Sequence, residues 1–382
     1  MNITKLSIDG FKNLSDVNIE LDKKLNIIFG ENAQGKTNLV EAIWLLSGCR
    51  SFRGTKEKDF ININLEKADM NISFKNSLRE QIISTTLKKQ NIKEKNITLN
   101  GVPIKTLPKL FGNLKCVIFT PEDLDLAKGS PEKRRNFIDL CISQIKLGYF
   151  SVTDKYENIL NQRNALLKRI NQGLSNIDEL DIWDEQLARM GAYITLLRYN
   201  YIQKLDVFSK NLYKKMSSDR EDLSLSYSSS VYSNIFGRTD YKGEMAEEYL
   251  EKMKKSRRDD VRAGFTTIGI HRDDIITKIN ELPSREFGSQ GQQRSIALIL
   301  KLSQAYILIE ETDEAPIILL DDVLSELDKN RQKFILSSID NMQIIITTCD
   351  EIDKNLYNTK NGKYFKVNCG KVKEVHNQWY YI

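Results

Sequence analysis

KLNIIFGENAQGKTNLVEAIWLLSG, residues 24–48, is the stretch that decides the fold of this 382-residue chain. Its first part, KLNIIF, is short, apolar and β-branched, which predicts a buried strand. TNLVEAIWLL, residues 37–46, has the length and apolar content of a helix and is closed by Gly48. GENAQGKT, residues 30–37, joins the two with the spacing of a phosphate-binding loop. We therefore predict a phosphate site at the carboxyl end of this strand.

The residue types of this loop suit the phosphates of a nucleotide. Its glycines let successive backbone N–H groups turn toward phosphate oxygens, and the helix N-terminus adds partial positive charge. Lys36 would bridge the β- and γ-phosphates, and the Thr37 hydroxyl would ligate Mg²⁺. The alternative is a turn that merely joins a strand to a helix, and the flanking segments disfavour it. The expected nucleotide contacts are Gly30, Glu31, Asn32, Ala33, Gln34, Gly35, Lys36 and Thr37.

A second apolar run ends in two aspartates. APIILLDD, residues 315–322, is typical of a buried strand with Asp321 at its carboxyl end. Ligands of open α/β sheets bind at that edge, so Asp321 is the predicted Mg²⁺ ligand if its strand neighbours the strand of the phosphate loop. Asp322 would then orient the attacking water. Paired aspartates alone favour an ordinary strand-end turn, and the phosphate loop reverses that preference.

The order of elements along the chain predicts an α/β unit interrupted by helices. Strand-like segments dominate the N-terminal third, with Asn100-Gly101 as a hairpin turn, and long stretches of helical spacing follow. Strands and helices then alternate again to the end of the chain. We predict an α/β head comprising residues 1–125 and 259–382, with 126–258 as a mostly helical inserted lobe.

Bulk composition narrows the functional classes. Five scattered cysteines lack a CxxC pair, and two histidines leave little room for a His-based metal site or a Ser-His-Asp triad. No apolar run reaches the roughly 18 residues of a membrane span, and no signal-peptide layout opens the chain. We therefore predict a cytoplasmic protein without a membrane partner. A net charge of +5 permits a nucleic-acid partner without demanding one.

Five linked motifs carry a resemblance to a known family. GENAQGKT is followed by FTPEDLDLAKGSPEKRR at 119–135, GIHRDD at 269–274, SQGQQR at 289–294 and ILLDDVLSELD at 318–328. In order and spacing these motifs resemble the RecF family of bacterial recombination mediators, which belongs to the ATP-binding-cassette (ABC) ATPases related to chromosome-maintenance proteins. The resemblance covers essentially the whole chain. It implies an ABC-type P-loop ATPase head that uses ATP and Mg²⁺.

The resemblance also implies roles for residues outside the phosphate loop. SQGQQ resembles the signature motif with which a second subunit completes the phosphate site, so Ser289, Gly291 and Gln292 would face the γ-phosphate. A simple helix N-cap is the alternative. Glu122 falls where related ATPases sense Mg²⁺, although their usual glutamine is absent here. The remaining implied nucleotide contacts, which ordinary surface charge would explain equally well, are Lys12, Asn13 and Arg53.

Two departures from the pattern of cassette ATPases predict slow hydrolysis. Asp322 would complete a catalytic set with Lys36 and Ser289, but most relatives have glutamate in its place. They also have histidine where this chain has Thr347 or Thr348. Aspartate is shorter by about one bond, and a misplacement of about 1 Å can cost on the order of 10²-fold in rate. ATP would then serve mainly as a clamp.

A basic run at residues 251–262, EKMKKSRRDDVR, is the candidate DNA contact. Each phosphate contact would contribute about −0.9 to the salt slope of binding to duplex DNA. A solvated helix face explains the run equally well, and the resemblance favours DNA. The residues expected to bind DNA are Lys252, Lys254, Lys255, Arg257 and Arg258.

The implied partners are DNA with gaps, junctions or single-stranded ends, a second copy of the chain joined by ATP, and the RecR protein. With RecR, such a protein would promote recombinase loading in replication-gap and SOS processing. The alternative is the nucleotide-binding subunit of an ABC transporter, which shares the phosphate loop and signature. The insertion of more than 120 residues before the signature and the Thr347-Thr348 ending disfavour a transporter.

Overall fold

The computed structural model describes residues 1–91, 96–104, 109–349 and 362–375. The chain divides into two compact units, one of Met1–Asp123 with Ala297–Ile382 and one of Leu124–Ile296. Within the described residues, no helix is long and apolar enough to cross a membrane.

Strands and helices alternate at both ends of the chain, and helices dominate its middle. The strands are β1 Asn2–Asp9, β2 Val17–Glu20, β3 Leu25–Phe29, β4 Lys67–Lys75, β5 Glu80–Lys88, β6 Asn96–Leu99, β7 Val102–Ile104, β8 Cys116–Phe119, β9 Leu223–Ser228, β10 Asp274–Ile279, β11 Leu282–Pro283, β12 Ile317–Asp321, β13 Ile344–Thr348, β14 Lys363–Asn368 and β15 Lys371–Val375. The helices are α1 Lys36–Leu46, α2 Asp125–Lys128, α3 Pro131–Ile145, α4 Tyr149–Asn171, α5 Asp181–Ser217, α6 Glu244–Ala263, α7 Ser284–Phe287, α8 Gln290–Thr312 and α9 Lys329–Ser338.

Short apolar runs form a mostly parallel sheet in the first unit, with the order β15-β14-β3-β13-β12-β8. All five residues of β12 are buried, as is typical of a strand covered on both faces. Because β3, β13 and β12 run parallel, their carboxyl ends meet at one edge. However, β13 lies between β3 and β12, so the condition attached to Asp321, that these two strands be neighbours, is not met.

Alternating residues form the second sheet of this unit, which is antiparallel with the order β2-β1-β4-β5-β6-β7. Along β4 every second side chain is buried, the period of a strand with one face on the core. Asn100 and Gly101 have φ of 53° and 77° and join the antiparallel strands β6 and β7. The predicted hairpin turn is confirmed, because residues with positive φ at both central positions match the twist of a tight hairpin.

The second unit consists of long helices and a small antiparallel sheet, β11-β10-β9. Residues 259–296, which we predicted in the head, group with these helices. The reason is strand pairing, since β10 pairs with β9 from Asp274↔Ser228 to Ile279↔Leu223. Sequence spacing could not reveal that partner.

A buried ion network ties three of these helices together. Arg163 of α4 is fully buried and lies 2.6 Å from Asp184 of α5 and 2.8 Å from Asp260 of α6. Arg257 of α6 lies 2.7 Å from the same Asp184. Thr266 accepts a further hydrogen bond from Arg163 at 2.8 Å. These charges neutralise one another, and removal of one would leave its partners uncompensated.

Candidate nucleotide-binding site

The phosphate loop follows β3, as the sequence predicted, and its last two residues, Lys36 and Thr37, form the start of α1. Lys36 is 4% exposed. Its amine donates to the carbonyls of Gly30 at 2.7 Å and Glu31 at 2.9 Å and to Cys349 Sγ at 3.1 Å. The three acceptors are two carbonyl oxygens and a thiol. Among the described residues, no carboxylate accepts a hydrogen bond from this buried amine. An anion such as a phosphate would suit this position.

Backbone contacts hold the loop from behind. A Cβ atom on Gly35, whose φ is 119°, would lie 2.8 Å from Asn13 Oδ1. Asn13 Nδ2 donates to the Gln34 carbonyl at 3.0 Å, and Gly370 N donates to the same carbonyl at 3.0 Å. The Gln34 side chain accepts from Cys369 N at 2.6 Å. Asn13 and Gln34, which we expected to contact the nucleotide, thus shape the loop in this structure.

Two donors suited to Mg²⁺ meet at the end of β12. Burial is the largest influence on Asp321 and raises the pKa of its carboxyl, with hydrogen bonds from Thr347 and Thr37 opposing the rise. Thr347 Oγ1 donates to Asp321 at 2.7 Å and accepts from Asp322 N at 3.0 Å. The hydroxyl of Thr37 and the carboxylate of Asp321 are therefore adjacent although β13 separates their strands. Mg²⁺ binds with one or two such ligands plus phosphates, so the pair fits this ion.

Asp322 follows β12 with a φ of 51°, the left-handed region that a non-glycine residue rarely adopts. This backbone turn places its carboxylate 3.9 Å from Cys349 Sγ. Asp322, the residue predicted to orient the attacking water, therefore lies near Cys349, which contacts Lys36 of the phosphate loop. Strain of this kind is common at functional sites.

Lys12 lies near the loop but is engaged elsewhere. Its amine forms an ion pair with Glu41, which is fully buried in α1, and lies 3.3 Å from Thr55 Oγ1. The Arg53 guanidinium donates to Asn38 at 3.3 Å, and its charge opposes the burial-driven rise in the pKa of Asp321. Of these two implied nucleotide contacts, Arg53 lies close enough to act on the Asp321 carboxyl, whereas Lys12 pairs with a buried carboxylate.

The position that the resemblance assigns to Mg²⁺ sensing holds two acids with different surroundings. Glu122 is exposed in the short turn Pro121–Leu124. Asp123 accepts from Thr120 N at 2.8 Å and lies 2.8 Å from the amine of Lys301. Burial raises the pKa of Asp123, and the Lys301 charge opposes that rise. Of these two acids, Asp123 forms an ion pair with Lys301, and Glu122 is exposed to solvent.

The signature motif lies in the second unit, at the start of α8. Gln292 N donates to Ser289 Oγ at 3.2 Å, and Ser289 N donates to Gln292 Oε1 at 2.8 Å. This reciprocal pair is a capping box, the helix N-cap that we weighed as the alternative. Gln292 also donates to Glu221 at 2.8 Å. The N-terminus of a helix also carries partial positive charge, which the cap does not remove.

The five basic residues of α6 differ in their surroundings. Arg257 pairs with Asp181 and Asp184, Lys252 with Glu248 at 3.0 Å, and Lys255 with Glu251 at 2.5 Å. Lys254 and Arg258 are exposed. The predicted DNA set therefore contains scaffold cations as well as surface ones. Two residues that reasoning from the sequence missed are Cys349 and Glu41, because neither belongs to a motif.

Comparison with known proteins identifies the family of this chain. The family model described as "RecF/RecN/SMC N terminal domain" matches residues 2–369. The "DNA replication and repair protein RecF" of Clostridium botulinum (strain Okra / Type B1) is 40% identical over 377 residues, which cover 98% of this chain and 100% of that protein.

Two solved structures place the fold. The "recombination mediator protein RecF-ATPrS in RecFOR pathway" has a TM-score of 0.90 and 36% identity, with 98% of each chain covered. An SMC head bound to the C-terminal winged-helix domain of ScpA has a TM-score of 0.57 at 17% identity, covering 99% of this chain and 98% of that one, and supports the fold alone. Because a family model spans nearly the whole chain and a relative is 40% identical over its full length, this chain belongs to the RecF family of DNA replication and repair proteins.

Proposed function

We propose that this chain binds ATP with Mg²⁺ in the loop of residues 30–37 and uses the nucleotide as a switch for dimerisation on DNA. The observation that carries the proposal is the buried Lys36 amine, held by neutral acceptors at the carboxyl edge of a parallel sheet. A similar protein has been solved as RecF-ATPrS, which supports ATP as the nucleotide. Lys36 would exchange its carbonyl contacts for phosphate oxygens.

The residues around Lys36 would bind the metal ion and orient the attacking water. Mg²⁺, when bound by Thr37 and Asp321, would neutralise charge on the β- and γ-phosphates. Thr347 fixes the Asp321 carboxylate through its 2.7 Å hydrogen bond. Asp322 would orient the attacking water, and its short side chain supports slow hydrolysis with ATP serving mainly as a clamp.

The signature turn supports a homodimer. Ser289 caps α8, whose first-turn N–H groups carry partial positive charge. In the proposed dimer this turn, with Gly291 and Gln292, faces the γ-phosphate bound by a second copy. The Ser289 hydroxyl oxygen accepts a hydrogen bond from Gln292 N, so its O–H group would donate a hydrogen bond to the phosphate.

For the partners we propose DNA with gaps or junctions and the RecR protein, with recombinase loading as the outcome and the cytoplasm as the location. Support comes from the similarity to a solved recombination mediator protein of the RecFOR pathway. Exposed Lys254 and Arg258 on α6 would contact the DNA backbone. The ABC-transporter alternative is not favoured, because the full-length relative is a DNA replication and repair protein.

Size-exclusion chromatography with light scattering, with and without ATP, tests the switch together with a fluorescent-nucleotide titration. Lys36→Met should weaken ATP binding by about 30–100-fold, because charge-assisted contacts to phosphate are lost. Ser289→Arg should bind ATP normally and remain monomeric. Ser151→Arg, at an exposed position of α4 in the same unit, is the matched control and should dimerise. A strictly monomeric ATP complex of the unaltered protein would refute the shared site.

A further inference from the structure

The thiol of Cys349 lies inside the predicted nucleotide site, although no motif includes it. Its Sγ atom accepts from the Lys36 amine at 3.1 Å and donates to Asn32 Oδ1 at 2.7 Å. Asp322 Oδ1 is 3.9 Å from the same sulfur. The Cys349 side chain therefore contacts Asn32 and Lys36 of the phosphate loop and lies near the Asp322 carboxylate.

Strand geometry explains this placement. Successive side chains of β13 alternate between the faces of the sheet, so the residue two positions after Thr347 returns to the same side. Thr347 is committed to Asp321 and to the backbone of Asp322. Cys349 comes one residue beyond the end of β13 and thus projects past that pair, over the phosphate loop. Thr347 and Thr348 were the residues that we expected to replace the histidine of related ATPases.

The chemistry of the position favours a phosphate oxygen. Lys36 supplies positive charge, Asp322 supplies negative charge, and Cys349 places a small S–H donor between them. A terminal phosphate that displaced the carbonyl contacts of Lys36 would meet the S–H donor of this thiol. The α- and β-phosphates would instead meet the backbone N–H groups of the loop.

We propose that Cys349 is a specificity-determining residue that contacts the terminal phosphate and so helps the site to distinguish ATP from ADP. This proposal rests on the proposed binding of ATP. In this structure the thiol donates to Asn32 Oδ1 at 2.7 Å. On ATP binding the S–H group turns from Asn32 to a γ-phosphate oxygen.

Nucleotide discrimination gives the first test. The ratio of the ADP and ATP dissociation constants cancels contributions that both nucleotides share, including the release of Lys36. Cys349→Ala should lower the preference for ATP about three- to tenfold, since one hydrogen bond to a charged group is lost. Cys349→Ser should retain the preference, because serine keeps the donor. An unchanged ratio in the alanine variant, or an equal loss in both variants, would overturn the proposal.

Protection of the Cys349 thiol by nucleotide gives the second test. It is measured on a variant in which Cys349 itself is retained. Cys349 and Cys369 are exposed, whereas Cys49, Cys116 and Cys141 are buried. In a Cys369→Ser background, saturating ATP should slow the reaction of Cys349 with the disulfide reagent DTNB more strongly than ADP does. In the matched Cys349→Ser background, the reaction of Cys369 should not distinguish the two nucleotides. Equal rates with ATP and ADP at Cys349 would overturn the proposal.

The two proposals fail in different ways. If the unaltered protein does not bind a fluorescent ATP analogue, both the nucleotide site and the role of Cys349 are refuted. If it binds ATP in a Lys36-dependent manner and the Cys349 results are negative, the nucleotide site stands and the role of the thiol is refuted.

Discussion

Lys36 in the first unit and Arg163 in the second are both buried cations, and their surroundings are opposite. Among the described residues, the Lys36 amine has recorded contacts to two carbonyls and a thiol. Arg163 lies within 2.8 Å of Asp184 and Asp260. Burial of a charge without a counter-charge is unfavourable, whereas a neutralised charge is stable scaffold. The difference separates a cation kept for a ligand from one that holds helices together.

The same criterion divides residues that the sequence grouped together. Lys12 and Lys36 were both expected to contact the nucleotide, yet Lys12 neutralises the buried Glu41. In α6, Arg257 is drawn into ion pairs with Asp181 and Asp184, whereas Lys254 is exposed. We expect cations of the neutralised kind to affect stability and the others to affect ligand binding.

The largest effect should come from the neutralised cation. Arg163→Leu leaves Asp184 and Asp260 buried without their counter-charge, so the free energy of unfolding should fall by about 3–5 kcal/mol. Urea unfolding followed by circular dichroism measures this change. Lys255→Ala, which breaks an exposed pair with Glu251, is the control and should change stability little. Equal stability of both variants would break the comparison.

Lys12 sharpens the comparison because the resemblance and the structure disagree about it. Lys12→Met removes the partner of Glu41, which is 0% exposed, and should destabilise the protein by about 2–3 kcal/mol. Its ATP affinity should stay within about threefold of the unaltered protein, because no phosphate contact is lost. Unfolding and nucleotide titrations measure the two quantities. Lost ATP affinity with unchanged stability would show that Lys12 turns to the phosphate after all.

Asp321 provides a pH-dependent test at the ligand end. Burial raises the pKa of its carboxyl above 3.8, and the charge of Asp322 adds to the rise. The folded protein therefore binds this proton more tightly than the unfolded chain does. As a result, the free energy of unfolding falls as the pH rises from 3.8 through the raised pKa. Asp321→Asn should be more stable than the unaltered protein near neutral pH.

That advantage should shrink as the pH falls toward 3.8. Urea unfolding at several pH values measures it, with Asp322→Asn as the neighbouring control. If Asp321→Asn is destabilising at every pH, its hydrogen bonds with Thr347 and Thr37 outweigh the cost of burying the charge.

The smallest effect concerns DNA. Removal of an exposed cation that contacts the backbone should reduce the salt slope of binding by about 0.9. Lys254→Ala and Arg258→Ala should each show this reduction on gapped duplex DNA, measured by fluorescence anisotropy at several salt concentrations. Lys255→Ala should show less, because Glu251 partly neutralises that side chain. A uniform reduction at all three positions would mean that ion pairing does not separate them.

Much of the fold was predictable because its signals are local. The strand, loop and helix of residues 24–48 agree with β3 and α1, and the Asn100-Gly101 turn agrees with the β6–β7 hairpin. The resemblance to RecF is confirmed by the comparisons. Hydrophobic period and turn residues report on their own neighbourhood, so they locate elements well.

Other features required contacts between residues far apart in the sequence. The insertion of β13 between β3 and β12 made Thr347 the link between the two halves of the site. Pairing of β10 with β9 moved residues 259–296 out of the predicted head. Cys349 and Glu41 carried no motif, and only their partners, Lys36 and Lys12, show their importance.

The sequence by itself determined the phosphate loop, the two aspartates at the end of β12 and the capped turn at Ser289, since these depend on residue type and spacing over a few positions. The tertiary structure alone decided which cations are neutralised. Arg163, Arg257 and Lys12 meet carboxylates that are 21 to 97 residues away, while Lys36 meets backbone carbonyls and a thiol. Charge acts through distance in space, and a linear pattern does not specify that distance.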